Sequence, residues 1–338
     1  MSVLAAIEKR CQRPIASLFD LIVGTSTGGI LALGLTAPGQ NAQPRNDAAS
    51  LLTLYGSHGD VIFPGGGSST WKQRIFGTND LREWKRPDRV LNRGAQKAGA
   101  PFGGNPMYAG GARYFGSGLE ETLDAQIGET LISSALTRVL VTSYDMAYGE
   151  PVLFSSFNWP PGAVVGTPMR IAARATSAGP TFFEPVELTV GDRRRVLVDG
   201  GVAANDPSLI AHALGGVLAT EAGKPLFLLS LGTGVRNPAQ PKTLSQVKAA
   251  NWLEQARNVF EAAMSGSGEI AEFVLPTLMN LPDMPVRYIR LQTVVGQCSF
   301  AMDDSSPANT QCLAALANQM VVQESEKIEY ASALILQG

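Results

Sequence analysis

Residues 21–30 read LIVGTSTGGI, an apolar run followed by a serine held between glycines at spacings of two. Gly24, Ser26 and Gly28 fit G-x-S-x-G, the strand-to-helix turn that lifts a serine hydroxyl clear of a sheet edge. The flanking glycines are expected because side chains there would collide across so sharp a bend. A serine hydroxyl is a poor nucleophile until a base takes its proton, and the usual base in such an elbow is a histidine. The chain has two histidines, His58 within YGSHGD and His212 within the apolar segment LIAHALGG, and both read as structural. The candidate base is instead Asp199. It ends the run RRVLV and opens the turn DGG, which predicts a carboxylate at the carboxyl edge of the sheet, where α/β proteins carry their sites. A carboxylate bonded directly to serine can act as general base if burial raises its pKa from about 4 toward neutrality. Ser26 and Asp199 are therefore chemically sufficient as a dyad.

The elements that must hold this pair are legible from periodicity. Val3, Leu4, Ile7 and Cys11 share one helical face. A strand is expected over 19–23 and a nearly all-apolar helix over 28–37, as for a helix covered on every side. Residues 49–56 and 118–127 read as helices, and 137–145 and 151–157 as strands. Residues 186–201 read as a hairpin running into an exposed turn. A helix is expected over 207–219 with Pro207 in its first turn. The run LFLLSLGTG over 226–234 suggests a parallel strand buried on both faces. Strands alternating with helices predict an α/β fold with a mostly parallel sheet covered on both sides.

Composition narrows the function. With 338 residues, 45% of them hydrophobic, the chain can bury a large core, and its net charge of −2 supplies no global field for nucleic acid or anionic lipid. Cys11, Cys298 and Cys312 lack metal-like spacing and are expected as reduced, buried thiols. No targeting segment and no apolar stretch of membrane-spanning length is seen. A cytoplasmic location is the expectation, with peripheral membrane contact left open.

Three segments in order, GTSTGGILAL, ARATSAGPTFFEPV and LVDGGVAANDP, resemble the patatin-like phospholipases, which are lipid acyl hydrolases. The resemblance covers residues 1 to about 236. It implies a three-layer α/β/α domain and an acyl-enzyme cycle on phospholipids or other acyl esters. It also implies that Ser26 is the nucleophile and Asp199 its base, and that neither metal nor cofactor is needed. The whole chain, 1–338, is taken as one such domain with a helical region from about 240. Family members usually carry a D-G-G-G-x-R-G oxyanion loop ahead of the serine. Here the first residues match the helix that normally follows that loop, so the first strand and loop are expected to be absent. Three outcomes follow for the oxyanion: the amides of Thr27 and Gly28 at a helix start suffice, Gly65 to Gly67 substitute, or the chain is a truncated or catalytically weak relative that binds lipid or protein. A missing first strand would leave an open edge, so a homodimer is a modest expectation.

Other features read as structural beside a functional alternative. The basic segment 71–97 with Trp71 and Trp84 reads as solvated surface, with a lipid-surface or single-strand nucleic-acid patch as the alternative, and Arg193 to Arg195 read as exposed turn charge, with contact to phosphate headgroups as the alternative. Ser177 has no elbow glycine, Arg174 and Pro180 are expected to shape the turn beneath the site, and Asp206 is expected to start the following helix. In 246–281, Trp252, Phe260, Met264, Phe273, Leu275 and Met279 recur at helical spacing. Core packing is the first reading and an acyl cleft or membrane face the second, with a break expected over 265–269.

Overall fold

The computed structural model describes residues 1–64, 112, 114, 116–236, 252–279 and 286–337; Gly65 to Gly67, Trp71 and Trp84 lie outside them. In chain order the elements are α1 (Ser2–Cys11), β1 (Leu21–Thr25), α2 (Thr27–Thr36), α3 (Ala48–Ile62), α4 (Ser117–Gln126), β2 (Arg138–Asp145), β3 (Glu150–Ser155), α5 (Met169–Thr176), β4 (Val186–Val190) and β5 (Arg193–Asp199). They continue with α6 (Gly201–Ala204), α7 (Ser208–Ala222), β6 (Leu226–Leu231), β7 (Val235–Arg236), α8 (Trp252–Met279), β8 (Val286–Leu291), β9 (Val294–Val295), α9 (Pro307–Gln323) and α10 (Ser325–Gln337). The arrangement is an α/β fold of the three-layer α/β/α type.

β2 is the spine of the main sheet. It runs parallel to β1, with Leu21 opposite Arg138 and Thr25 opposite Thr142. It runs antiparallel to β3 and, over its last residues, antiparallel to β5. β4 and β5 form the expected hairpin. β6 pairs in parallel with β8, and β7 with β9. In β6, Leu228 and Ser230 are buried, while Phe227, Leu229 and Leu231 are half-buried against a second core that includes Ile7, Ile289, Leu291 and Ile328. The first core joins Ile30 and Leu33 of α2, Leu119 and Leu123 of α4, Ala172 of α5, and Val139, Val141 and Phe154 of the sheet. α2 is apolar nearly throughout because so many of its faces are covered, from Gly29 to Thr36.

Two expectations fail. α8 runs unbroken through 265–269, because tertiary contact overrides the weak helix preference of glycine and serine. Ser267 Oγ returns its proton to Met264 O at 3.1 Å while accepting the amide of Asn205 at 3.1 Å. The cysteines also differ: Cys298 and Cys312 form a disulfide, and Cys11 remains a buried free thiol. The segment after Cys298 folds back onto the start of α9, where Asn309 Oδ1 accepts the Ser299 amide at 2.9 Å. That return brings together two cysteines whose spacing carries no signal. Disulfides belong to oxidising compartments, so this bond weighs against a cytoplasmic location. Among the described residues, no helix is long and apolar enough to cross a membrane.

Closing a loop across a sequence separation of 14 stabilises by about 3 kcal/mol on chain-entropy grounds. The Cys298→Ser/Cys312→Ser variant should lose about that much in urea titration; an unchanged midpoint contradicts it.

Candidate active site

Two strand ends meet at the site. Thr25, the last residue of β1, lies opposite Thr142, and Asp199, the last residue of β5, lies opposite Ser143. Because β1 is parallel and β5 antiparallel to β2, their carboxyl ends approach head to head along one strand. Residues 26 and 199 are thereby neighbours despite a sequence separation of 173.

Each end has its own fastening. Ser26 has φ 55° and ψ −127°, a conformation costly to a residue with a Cβ and held only where its surroundings over-determine it. Its amide donates to Thr176 Oγ1 at 2.9 Å, and its carbonyl accepts from Ile30 in the first turn of α2. A Cβ on Gly24 would stand 2.2 Å from Gly28 O, whereas one on Gly28 would meet nothing within 4 Å. The steric demand of the bend thus falls on Gly24, and the space beside Gly28 is open. On the other side, the Asp199 amide donates to Ala178 O at 2.9 Å. Gly200 permits contact with β2, since a Cβ there would lie 2.2 Å from Thr142 Oγ1. Thr25 Oγ1 donates to Ala204 O at 2.7 Å and lies 2.7 Å from Thr142 Oγ1. A hydroxyl has one proton, so Thr142 must be the donor to Thr25. This pair of threonines ties β1, β2 and α6 together beneath the dyad.

Ser26 Oγ donates to Asp199 Oδ2 at 2.6 Å, and Asp199 Oδ1 accepts the Gly201 amide at 2.8 Å. Asp199 is 3% exposed. Burial pushes its carboxyl up from 3.8 to about 6, against the opposing pull of the Ser26 hydroxyl and the Gly201 amide, both of which favour the charged form. Near neutral pH the group is ionised yet more basic than an ordinary carboxylate, which suits a general base.

The family model for patatin-like phospholipases matches residues 2–212. The chain belongs to the patatin-like phospholipase family. It is 29% identical to Patatin-2-Kuras 3 of Solanum tuberosum, over 96% of this chain and 78% of that protein. It is 27% identical to Patatin-like protein 2 of Oryza sativa subsp. japonica, over 97% and 81%. A further potato relative, 27% identical over 98% of this chain and 83% of its own length, is named Probable inactive patatin-3-Kuras 1. Among solved structures, VipD from Legionella pneumophila aligns at 12% identity and a TM-score of 0.30, covering 95% of this chain and 65% of that one.

The patatin-like motifs converge on one place. GTSTGG supplies Ser26, ARATSAG supplies Thr176 and the Ala178 carbonyl, and LVDGG supplies Asp199 and the Gly201 amide. Thr27 and Gly28 open α2 directly after the serine. Neither histidine is a partner of the dyad. His58 lies on α3 and His212 on α7, where burial lowers its pKa. Ser177 returns its proton to Ala173 O at 2.7 Å. Arg174 is buried beneath the turn, 3.3 Å from Glu120 and 3.4 Å from Glu184. Arg193, Arg194 and Arg195 are paired with Glu150, Glu187, and Asp145 with Glu150, respectively, so they serve the hairpin. Asp206 Oδ1 accepts the Ser208 amide at 2.9 Å as a helix-starting residue, and it also pairs with Arg290, a partner with no local sequence signal. Thr176 lies within the marked segment ARATSAG, but its place behind the serine amide shows only in the fold. Among the described residues no cluster of His, Cys, Asp or Glu could hold a metal ion.

The two elbow glycines separate packing from access. Gly24→Ala should destabilise by about 1–3 kcal/mol, the usual range for forced overpacking. Gly28→Ala should fold near wild-type stability, because its Cβ has room; thermal unfolding of both variants decides, and equal losses contradict this. Burial of Asp199 also carries a stability signature. Its folded pKa is about 6 against an ordinary 3.8, so native protein keeps a proton that unfolded chain releases between those values. Stability therefore falls as pH rises through that window, by about 3 kcal/mol at 1.36 kcal/mol per unit. Asp199→Asn lacks this titration and should gain on wild type between pH 4 and 7 in paired denaturant titrations. A stability difference that stays constant across that range contradicts the raised pKa.

Proposed function

We propose that this chain is a serine acyl hydrolase acting on phospholipid or other lipid acyl esters through a Ser26–Asp199 dyad. The observation that carries the reading is the 2.6 Å contact between Ser26 Oγ and a buried Asp199 Oδ2, with no imidazole between them. Family membership supports lipid acyl hydrolysis as the activity class.

In the proposed cycle Asp199 Oδ2 takes the Ser26 proton as Oγ attacks the ester carbonyl, giving a tetrahedral intermediate. Asp199 then returns that proton to the leaving alcohol as the C–O bond breaks. Water next attacks the acyl-enzyme as the same carboxylate takes its proton; the acyl C–Oγ bond then breaks, Asp199 returns the proton to Ser26 Oγ, and the fatty acid leaves. Negative charge on the carbonyl oxygen is met by the amides of Thr27 and Gly28, at the positive end of the α2 dipole. The Gly201 amide holds Oδ1 and so leaves Oδ2 directed at the serine. The bent backbone at Ser26 presents the hydroxyl already oriented, which lowers the entropic cost of attack.

Lipid reaches such a site from an aggregate. Val259, Ile270 and Phe273 on α8 are exposed, Phe273 to 77%, while Met264 of the same helix packs beside Gly201. The exposed stripe is proposed to contact the lipid surface.

Ser26→Ala and Asp199→Asn should each reduce hydrolysis of a short nitrophenyl ester by about 10³- to 10⁴-fold. Retention of activity in either purified variant ends the dyad assignment. In wild type, kcat/KM should climb with pH about a single midpoint near 6, the Asp199 value. A midpoint near 4 or above 8 points to another base. Phe273→Asp should depress hydrolysis of phosphatidylcholine vesicles while a soluble ester is still cleaved; equal loss on both substrates contradicts surface contact.

A further inference from the structure

The turn that carries the base cannot hold itself. α6 is a single turn of four residues, Gly201–Ala204, yet its first amide orients Asp199 Oδ1 at 2.8 Å. The chain then passes through Asn205 and Asp206 into α7, and side chains from beyond residue 250 hold both residues. Ser267 Oγ accepts the Asn205 amide at 3.1 Å, and Arg290 Nη1 lies 3.0 Å from Asp206 Oδ2. The same Nη1 donates to Ser230 Oγ at 2.6 Å, and the Ser230 and Ser208 hydroxyls are 2.7 Å apart. The outer edge of the guanidinium faces α8, with Nη2 2.8 Å from Glu272 Oε1. Asp206, Ser208 and Ser230 are all buried.

We propose that Arg290 is a positioning residue for Asp199: by pinning Asp206 it fixes the short turn whose opening amide aims the carboxylate at Ser26. The proposal rests on the dyad reading above. A planar, permanently charged guanidinium suits this place because it serves Asp206 and Ser230 on one edge and Glu272 on the other. Arg290, Ser267 and Glu272 all lie beyond residue 212, where the family match ends, so the carboxyl-terminal third becomes part of the catalytic unit. The charged and titratable groups facing this cluster are Glu272 and Tyr288, while Asp199 itself is faced by Ser26 and the Gly201 amide. If the turn loosens, Asp199 loses a bond that favours its charged form, and its titration moves upward.

The test uses the full chain and follows the rate at which a fluorophosphonate labels Ser26 between pH 5 and 8. Wild type should show a midpoint near 6. Arg290→Met should label about ten- to a hundredfold more slowly, the scale of a small misplacement of a reacting group, with its midpoint moved up. Arg290→Lys keeps the charge beside Asp206 but loses the second edge of the guanidinium, and should recover the midpoint and only part of the rate. Asp206→Asn/Arg290→Met leaves no buried carboxylate unpaired, so it should fold and yet label as slowly as Arg290→Met. A wild-type rate and midpoint in folded Arg290→Met or in the folded double variant overturns the proposal. Loss of fold in the double variant also overturns it, because the pair would then be structural only. Absence of Ser26 labelling in wild type would instead contradict the dyad reading itself.

Discussion

The site depends on one strand holding two others end to end. β2 takes Thr25 at Thr142 and Asp199 at Ser143, on consecutive residues, so hydrogen bonding of the sheet itself sets the distance between the Ser26 hydroxyl and the Asp199 carboxylate. Rigid elements place reacting groups more precisely than loops do, and here both groups sit at the first residue past, or the last residue of, a strand. Everything else near the dyad serves that junction. Thr176 fastens the serine backbone, the Thr25 and Thr142 hydroxyls fasten the sheet to α6, and the Gly201 amide fastens the carboxylate.

The arrangement is costly to the fold. Ser26 occupies a positive-φ conformation, and Asp199 is a carboxylate removed from water with a single backbone amide and a serine hydroxyl as partners. Strain and an ill-solvated charge at one place are the usual mark of a site kept for chemistry rather than stability. The same burial that destabilises the ionised form makes it a stronger base. The carboxylate accepts the serine hydroxyl directly, with no imidazole between them.

Much of this was legible in the sequence, for identifiable reasons. The elbow is a local motif, and Gly24 and Ser26 announce it within five residues. α1 and the β4–β5 hairpin are periodic and α2 is one nearly continuous apolar run, and their spans follow those patterns closely. Asp199 is singled out in the sequence by the lack of a suitable histidine and by its place at the head of DGG. What stayed hidden is non-local. Arg290 has no neighbours in sequence that mark it, and Thr176, although inside ARATSAG, has a role that shows only when the fold brings it to Ser26, as Arg290 is brought to Asp206. Cys298 and Cys312 were misread because the return of the chain onto α9 has no compositional sign. The break expected in α8 failed because Ser267 serves a tertiary contact that local propensity does not record.

The central claim is that an ester is attacked by Ser26 and that Asp199 alone removes its proton. Peptide mapping of the fluorophosphonate adduct by mass spectrometry, on wild type and Asp199→Asn side by side, tests it most directly. The account predicts a single adduct on Ser26 in wild type and little or none in the variant over the same time. An adduct on another serine, or equal modification of Ser26 in both proteins, contradicts it.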